Sequence, residues 1–233
     1  MIPNEPGRWQ YPTLAKPESD GAFCYYVQRR VSVWFSVRLS HHIGPNTATG
    51  LDLILGVAAA VLVLLGHWLW GVLLIQLFGV FSCVDGEIAR IQGRTSRIGD
   101  FLDTLTDRAT ELLVVVAIAL SLSDRVDAVS ALAAGFALIG GVFLLTNSSE
   151  KFRSAWQMGY PKRRLERLFY LFSAGSDGRL LMLSVGLIVS ELTGDGSFLL
   201  WLLWALAAAT YLNFFVRIGL VYAHFGAEDG PES

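Results

Sequence analysis

This chain predicts an all-α fold: a polytopic membrane protein of six transmembrane helices with an N-terminal amphipathic interfacial helix. Three observations predict it. Hydrophobic residues make up 53% of its 233 positions. Charged residues make up only 16%, where soluble domains carry about 25%. The apolar residues are also gathered into runs of the length that crosses a bilayer, about 20 residues for a helix. Such a composition excludes a disordered chain, a disulfide scaffold and an ordinary soluble enzyme. The formal charge of −2, from 18 Lys+Arg against 20 Asp+Glu, argues for no nucleic-acid partner. Cys24 and Cys83 have no metal-like spacing and read as reduced thiols.

The spans follow in order. The first runs from Gly50 to about Gly66 and is nearly uncharged apart from Asp52; the second runs from Trp68 to Val84, anchored by Trp68 and Trp70. The third, about Ile98 to Leu122, is apolar in its second half and rich in carboxylates in its first. The fourth covers about Val126 to Thr146, and the sixth Phe198 to about Tyr222. The fifth, near Leu180 to Leu192, is short, and if it is re-entrant the count falls to five. Before the spans, Phe23, Tyr26, Val27, Val31, Trp34, Phe35 and Val37 interleave with Arg29, Arg30 and Arg38. That pattern predicts an amphipathic helix on the membrane face, with packing on the cytoplasmic loops as the alternative. The domain plan is therefore an N-terminal cytoplasmic segment (1–44), a six-helix transmembrane catalytic domain (45–225) and an acidic disordered tail (226–233). The polar, mixed first 40 residues predict no cleavable signal peptide.

Basic residues set the orientation. They cluster in the N-terminal segment, at Arg90, Arg94 and Arg97 after the second span, and from Lys151 to Arg179 after the fourth, whereas the opposite loops hold only Arg125. The positive-inside rule places both termini and both basic loops in the cytoplasm. The expected location is the cell membrane.

The chemistry lies in Ser82-Cys83-Val84-Asp85-Gly86-Glu87-Ile88-Ala89-Arg90 and in Gly99-Asp100-Phe101-Leu102-Asp103-Thr104-Leu105-Thr106-Asp107. A carboxylate at a helix centre costs about 2.5–3.5 kcal/mol on insertion scales, so intramembrane acids point to function. Asp103 and Asp107 stand one turn apart on a helix face, and Asp85 lies where the preceding span leaves the membrane. Three converging carboxylates repel one another unless a cation sits among them. Oxygen ligands without His or Cys favour Mg²⁺, or Mn²⁺ in its place. Gly86 and Gly99 leave room for a nucleotide or backbone, Gly86 and Ala89 offer a smooth face to a ribose or base, and Arg90 supplies charge for phosphate oxygens. The alternative is that the acids form a solvated ion-pair cluster with Arg90, Arg94, Arg97 and Arg108, the reading expected for Asp100, which lies off this face.

These residues resemble the signature of the CDP-alcohol phosphotransferase family, Asp-x2-Asp-Gly-x2-Ala-Arg-x8-Gly-x3-Asp-x3-Asp, and match it without a gap from Asp85 to Asp107. Pro45-Asn46-Thr47-Ala48-Thr49 is similar to the family's Pro-Asn-x-x-Thr segment before the first span; Asn46 or Thr47 also reads as a helix cap. The resemblance implies a six-helix enzyme, favouring a homodimer, that moves a substituted phosphate from a CDP-alcohol to a second alcohol and releases CMP. It implies metal ligands at Asp85, Asp103 and Asp107, two divalent ions, proton removal by Asp107, and a CDP pocket of Thr49, Asp85, Gly86, Ala89, Arg90 and Gly99.

One departure stands out: Ser82 occupies the place of the family's first aspartate. Its hydroxyl is a weaker ligand, which predicts a weakened metal site, and no nearby Asp obviously replaces it. Glu111, one turn beyond Asp107, is a candidate substitute. Otherwise the chain is a weaker or one-metal enzyme, or a non-catalytic homologue that binds nucleotide or lipid. A transporter with a midplane acidic site is disfavoured, because the acids lie near the cytoplasmic span ends and no repeated half is visible.

For the acceptor, Lys151, Arg153 and Arg179 lie near span ends and suit a phosphate clamp. Lys162, Arg163, Arg164 and Arg167 read as topology determinants that meet anionic headgroups. Lys16-Pro17-Glu18-Ser19-Asp20-Gly21 resembles the N-terminal region of the di-myo-inositol phosphate phosphate synthase branch, whose donor is a CDP-inositol. The competing branch uses CDP-diacylglycerol and makes phospholipids.

Overall fold

In the computed structural model, which describes residues 14–15 and 20–226, every regular element is helical. A π-helical turn, Cys24–Gln28, runs directly into α1 (Arg29–Leu39). Then come α2 (Pro45–Leu64), α3 (Trp68–Ile91), α4 (Arg97–Leu122) and α5 (Ala128–Trp156). A single turn, α6 (Lys162–Leu165), and a 3₁₀ turn (Phe169–Leu171) lead to α7 (Ser176–Thr193) and α8 (Ser197–Phe225). Residues 16–19 of the N-terminal resemblance and residues 227–233 of the expected tail lie outside the described residues.

Local chemistry sets the boundaries. Pro45 occupies the first turn of α2, where its fixed φ and missing N–H cost nothing. The cap itself is Gly44 and not Asn46 or Thr47: the extended residue precedes the proline, so Asn46 and Thr47 are already helical. Ser96 caps α4 by accepting from the Gly99 N–H at 3.0 Å, and Asp127 caps α5 through the Ser130 N–H at 2.8 Å. Gly66 and Gly194, both at positive φ, stop α2 and α7.

Four helices, α2, α3, α5 and α8, are long and apolar enough to cross a membrane. Their outward faces leave Ile54, Trp70, Phe136 and Trp201 exposed, as in helices that are apolar all round. The 26-residue α4 is long enough as well, but its first half carries Asp100, Asp103, Asp107 and Arg108, with Glu111 just beyond. The 18-residue α7 covers the stretch expected as the short fifth span but is not among these four; Asp177 and Arg179 stand in its first turn.

Small residues let the helices close on one another. A side chain at Gly56 would collide with Thr110, which brings α2 against α4, and one at Gly141 would collide with Thr210, which brings α5 against α8. Trp68, Ile118, Leu138, Leu187 and Leu203 fill the shared core.

Buried ionic knots complete the packing, and two of them tie α1 to α3 and α5 to α8. In the first, Glu87 of α3 accepts from Ser32 at 2.8 Å, Ser36 at 2.6 Å and Arg29 at 3.0 Å, and Arg29 reaches back to Asp20 at 2.9 Å. The polar face of α1 is therefore turned inward onto α3, while Tyr26, Val31 and Trp34 are exposed. In the second, Arg217 of α8 grips Glu166 and donates to the Leu145 carbonyl of α5 at 2.9 Å.

Both partners of that second pair are buried, so removing one strands a charge. Arg217→Met should cost about 3–5 kcal/mol, read as a lower unfolding temperature in detergent, and adding Glu166→Met should restore most of it. An unchanged unfolding temperature in the single variant would mean that the pair is idle.

Candidate active site

The motif straddles the turn between α3 and α4. Asp85, Gly86, Ala89 and Arg90 lie on the last turns of α3, and Gly99, Asp103 and Asp107 on the first turns of α4. α2 packs against both α3 and α4, and Asp85 of α3 and Asp103 of α4 line the same cavity. Thr49 of α2 closes the third side, its hydroxyl donating to Asp85 Oδ2 at 2.7 Å.

All of Thr49, Asp85, Gly86, Ala89, Arg90 and Gly99 line one cavity of about 130 Å³, together with Pro45, Asn46 and Asp103. A Cβ at Gly86 would stand 3.3 Å from Arg90 Nη1. Arg90 is anchored from behind, donating to the Leu14 carbonyl at 2.9 Å, while its Nε is buried without a partner. A half-anchored guanidinium with an unused donor suits an anionic ligand.

A second cavity, about 240 Å³, is lined by Ser82, Asp103, Asp107, Arg108, Arg153 and Lys162, with Asp177 and the π-helical turn at its edge. Asp100 and Asp103 line both cavities, so the two meet there. Asp107 Oδ1 is buried without a hydrogen-bond partner. Ser82 spends its hydroxyl on its own helix, donating to the Gly79 carbonyl at 3.3 Å. A further acid that the motif does not contain, Asp52 of α2, is buried one turn after Thr49, and its Oδ1 has no hydrogen-bond partner. Among the described residues no three acidic, cysteine or histidine side chains form a ready-made metal cage. The all-oxygen donor set and the unpartnered Asp107 oxygen nevertheless fit a hard divalent cation.

The basic residues separate differently from the expectation. Arg153 lines the second cavity and pairs with Asp100, whose expected partners were Arg90, Arg94, Arg97 and Arg108. Lys151 is exposed and lines neither cavity, because it falls on the outer face of α5. Arg179 is buried in an ion pair with Glu111, its Nε donating at 2.7 Å, and it also donates to the Ser173 carbonyl. Arg108 reaches Glu111 as well, at 3.1 Å. Glu111 thus faces two guanidiniums, not the carboxylates, which corrects its candidacy as the substitute ligand. Arg179 is committed to that pair and is absent from the lining of the second cavity.

Lys162, read from sequence as a topology determinant, is instead turned into the second cavity. Burial, then the neighbouring guanidiniums of Arg108 and Arg217, lower its ammonium to a pKa of about 8, against the opposing pull of Asp177. No sequence signal distinguishes it from Arg163 or Arg164, because the fold of the loop decides which cation points inward. Asp52 did leave a signal, as the lone acid of an apolar span three residues after Thr49.

Residues 42–207 match the CDP-alcohol phosphatidyltransferase family. The bifunctional IPC transferase and DIPP synthase of Thermococcus kodakarensis is 30% identical; the match covers 76% of this chain and 44% of that protein, so the chain spans about half the length of that relative. The phosphatidylinositol phosphate synthase of Corynebacterium glutamicum is 31% identical, with 76% of each chain covered. The fold is similar to that of the Mycobacterium tuberculosis phosphatidylinositol phosphate synthase solved with CDP-DAG bound, at a TM-score of 0.71 and 20% identity over 88% of this chain and 100% of that one. That mycobacterial protein has also been solved in complex with manganese and citrate. From the match to its motif-bearing core, this chain belongs to the CDP-alcohol phosphatidyltransferase family.

Proposed function

We propose that the chain is an integral-membrane transferase that moves a substituted phosphate group from a CDP-alcohol to a second alcohol, releasing CMP and forming a phosphodiester. The observation that carries this reading is the junction of two cavities at Asp103, one lined by the motif's small residues and Arg90, the other by Asp107 and cations. In this reading the first cavity holds the cytidine diphosphate, with Gly86 and Ala89 against the nucleoside and Arg90 Nε on a phosphate oxygen. The acceptor enters the second cavity and places its hydroxyl beside Asp107.

Asp107 Oδ1 takes the hydroxyl proton as the acceptor oxygen bonds to the phosphorus attached to the donor alcohol. The bond from that phosphorus to the CMP oxygen breaks in the same displacement. A carboxylate is a weak base for an alcohol, so alignment of the two substrates supplies much of the acceleration. Asp85, Asp103 and Asp107 would hold two Mg²⁺ or Mn²⁺ ions, which would supply charge to neutralise the diphosphate and the departing CMP. Arg153, Lys162 and Arg108 give the acceptor cavity the charge to hold a phosphorylated alcohol. Relatives named for phosphatidylinositol phosphate and DIPP synthesis support an inositol phosphate as acceptor, with CDP-diacylglycerol or a CDP-inositol as donor.

The helices α2, α3, α4, α5, α7 and α8 are proposed as six spans of the cell membrane. The distribution of basic residues supports placing both termini and the active site on the cytoplasmic side. The exposed apolar face of α1 suits the membrane surface, and a homodimer is proposed on the family resemblance.

The test is CMP release by the purified chain with Mg²⁺ or Mn²⁺, each donor in turn, and inositol phosphate. Asp107→Asn should lower turnover by about 10²–10⁴-fold; turnover equal to the unaltered chain would remove Asp107 from the chemistry. Lys162 is charged below its pKa of about 8 and neutral above it. The acceptor KM should therefore rise as pH climbs through that value, and Lys162→Arg should carry the rise to higher pH. A KM profile unmoved by the arginine would exclude Lys162 from acceptor binding.

A further inference from the structure

The chain lacks the family's first aspartate, yet a fourth carboxylate is buried among the other three. Asp52 is only 1% exposed, and its Oδ1 has no hydrogen-bond partner. Asp107, Asp85 and Asp103 all lie within electrostatic reach of it. Those three are the residues proposed as metal ligands.

The packing holds it there. Thr49, Asp52 and Gly56 stand three and four residues apart on one face of α2. At one end of that face Thr49 donates to Asp85 at 2.7 Å, and at the other the bare Cα of Gly56 packs on Thr110. Thr110 is one turn beyond Asp107 on α4. With both ends of the face in register, Asp52 in the middle is brought between α3 and α4, level with the acids. Adding a side chain at Gly56 would push α2 away and withdraw it.

The alternatives for the missing charge are excluded by their contacts. Glu111 is paired with Arg179 and Arg108, and Glu87 with Arg29, Ser32 and Ser36. Ser82 has turned its hydroxyl to the Gly79 carbonyl. A buried carboxylate oxygen with no donor of its own, within reach of three further acids, lacks the cation that such a group requires.

We infer that Asp52 is the fourth carboxylate of the metal site, the ligand having moved from position 82 on α3 to position 52 on α2. The inference rests on the transferase reading above, in which Asp85, Asp103 and Asp107 hold divalent ions. The pair Asp52/Ser82 then does the work that an aspartate at position 82 does in the family signature, and the total of four carboxylates is kept. Because α2 also carries Thr49 and Asn46 into the donor cavity, the exchange ties the metal to the helix that lines the CDP pocket.

The test is a titration of the purified full chain with Mn²⁺ alone, read by the loss of the free-ion electron paramagnetic resonance signal. Outer-shell partners of a metal ligand are themselves worth about 10–100-fold in affinity, so Asp52→Asn should weaken Mn²⁺ binding by at least about tenfold. Adding Ser82→Asp to that variant should bring affinity back to within about threefold of the starting chain. Equal affinity of Asp52→Asn and the unaltered chain would overturn the inference and leave the transferase reading standing. Weakening without recovery in the double variant would overturn the exchange. Absence of Mn²⁺ binding by the unaltered chain would sink both. If Asp52→Asn does not fold, Ser82→Asp alone decides. Tightening below about threefold supports Asp52 as the ligand already present, and tightening of about tenfold or more overturns it.

Discussion

Like-charged carboxylates pressed between apolar helices repel one another strongly, because little solvent is there to screen them. In this chain Asp52, Asp85, Asp103 and Asp107 come from three successive helices, and the packing that makes the bundle is the packing that gathers them. The helices cannot separate to relieve the repulsion without opening the contact of Gly56 on Thr110. A shared cation relieves it without moving the backbone. Cations stand on either side of these acids, Arg90 in the lining of the smaller cavity and Lys162 with Arg153 in that of the larger.

Other ionic groups are kept from competing. Glu87 lies within the motif but is drawn to the far side of α3, where Arg29, Ser32 and Ser36 saturate it. Glu111 is held by Arg179 and Arg108 in the same way. Each pairing neutralises a carboxylate that would otherwise add to the charge at the junction, and each ties a peripheral element to the site. Glu87 docks α1 on α3, and Glu111 docks α7 on α4. Stability and electrostatic isolation are thus obtained from the same contacts, although buried pairs of this kind are specific more than they are strong.

Much of this was legible in the sequence because it depends on local spacing. Apolar runs marked the long helices, and the spacing from Asp85 to Asp107 put the donor-side residues into one cavity without any knowledge of tertiary contacts. What escaped depends on which side chain a distant helix presents. The alternation of Arg29, Val31 and Trp34 marked α1 as amphipathic but could not say that its polar face would turn inward. Arg179 and Lys162 belong to the same basic stretch, yet a buried acid on α4 claims the first and leaves the second to the cavity. Asp52 was visible as an isolated acid, but its relation to Asp107 arises only when a glycine one turn away lets α2 and α4 meet.

The most direct test of the central claim, that these acids are gathered around a divalent ion, is anomalous diffraction at the manganese edge from crystals of the full chain grown with Mn²⁺. The account predicts an anomalous peak enclosed by α2, α3 and α4, coordinated by carboxylate oxygens that include those of Asp85, Asp103 and Asp107. Well-ordered aspartates with no peak among them, or a peak only at some other place on the protein, would contradict it.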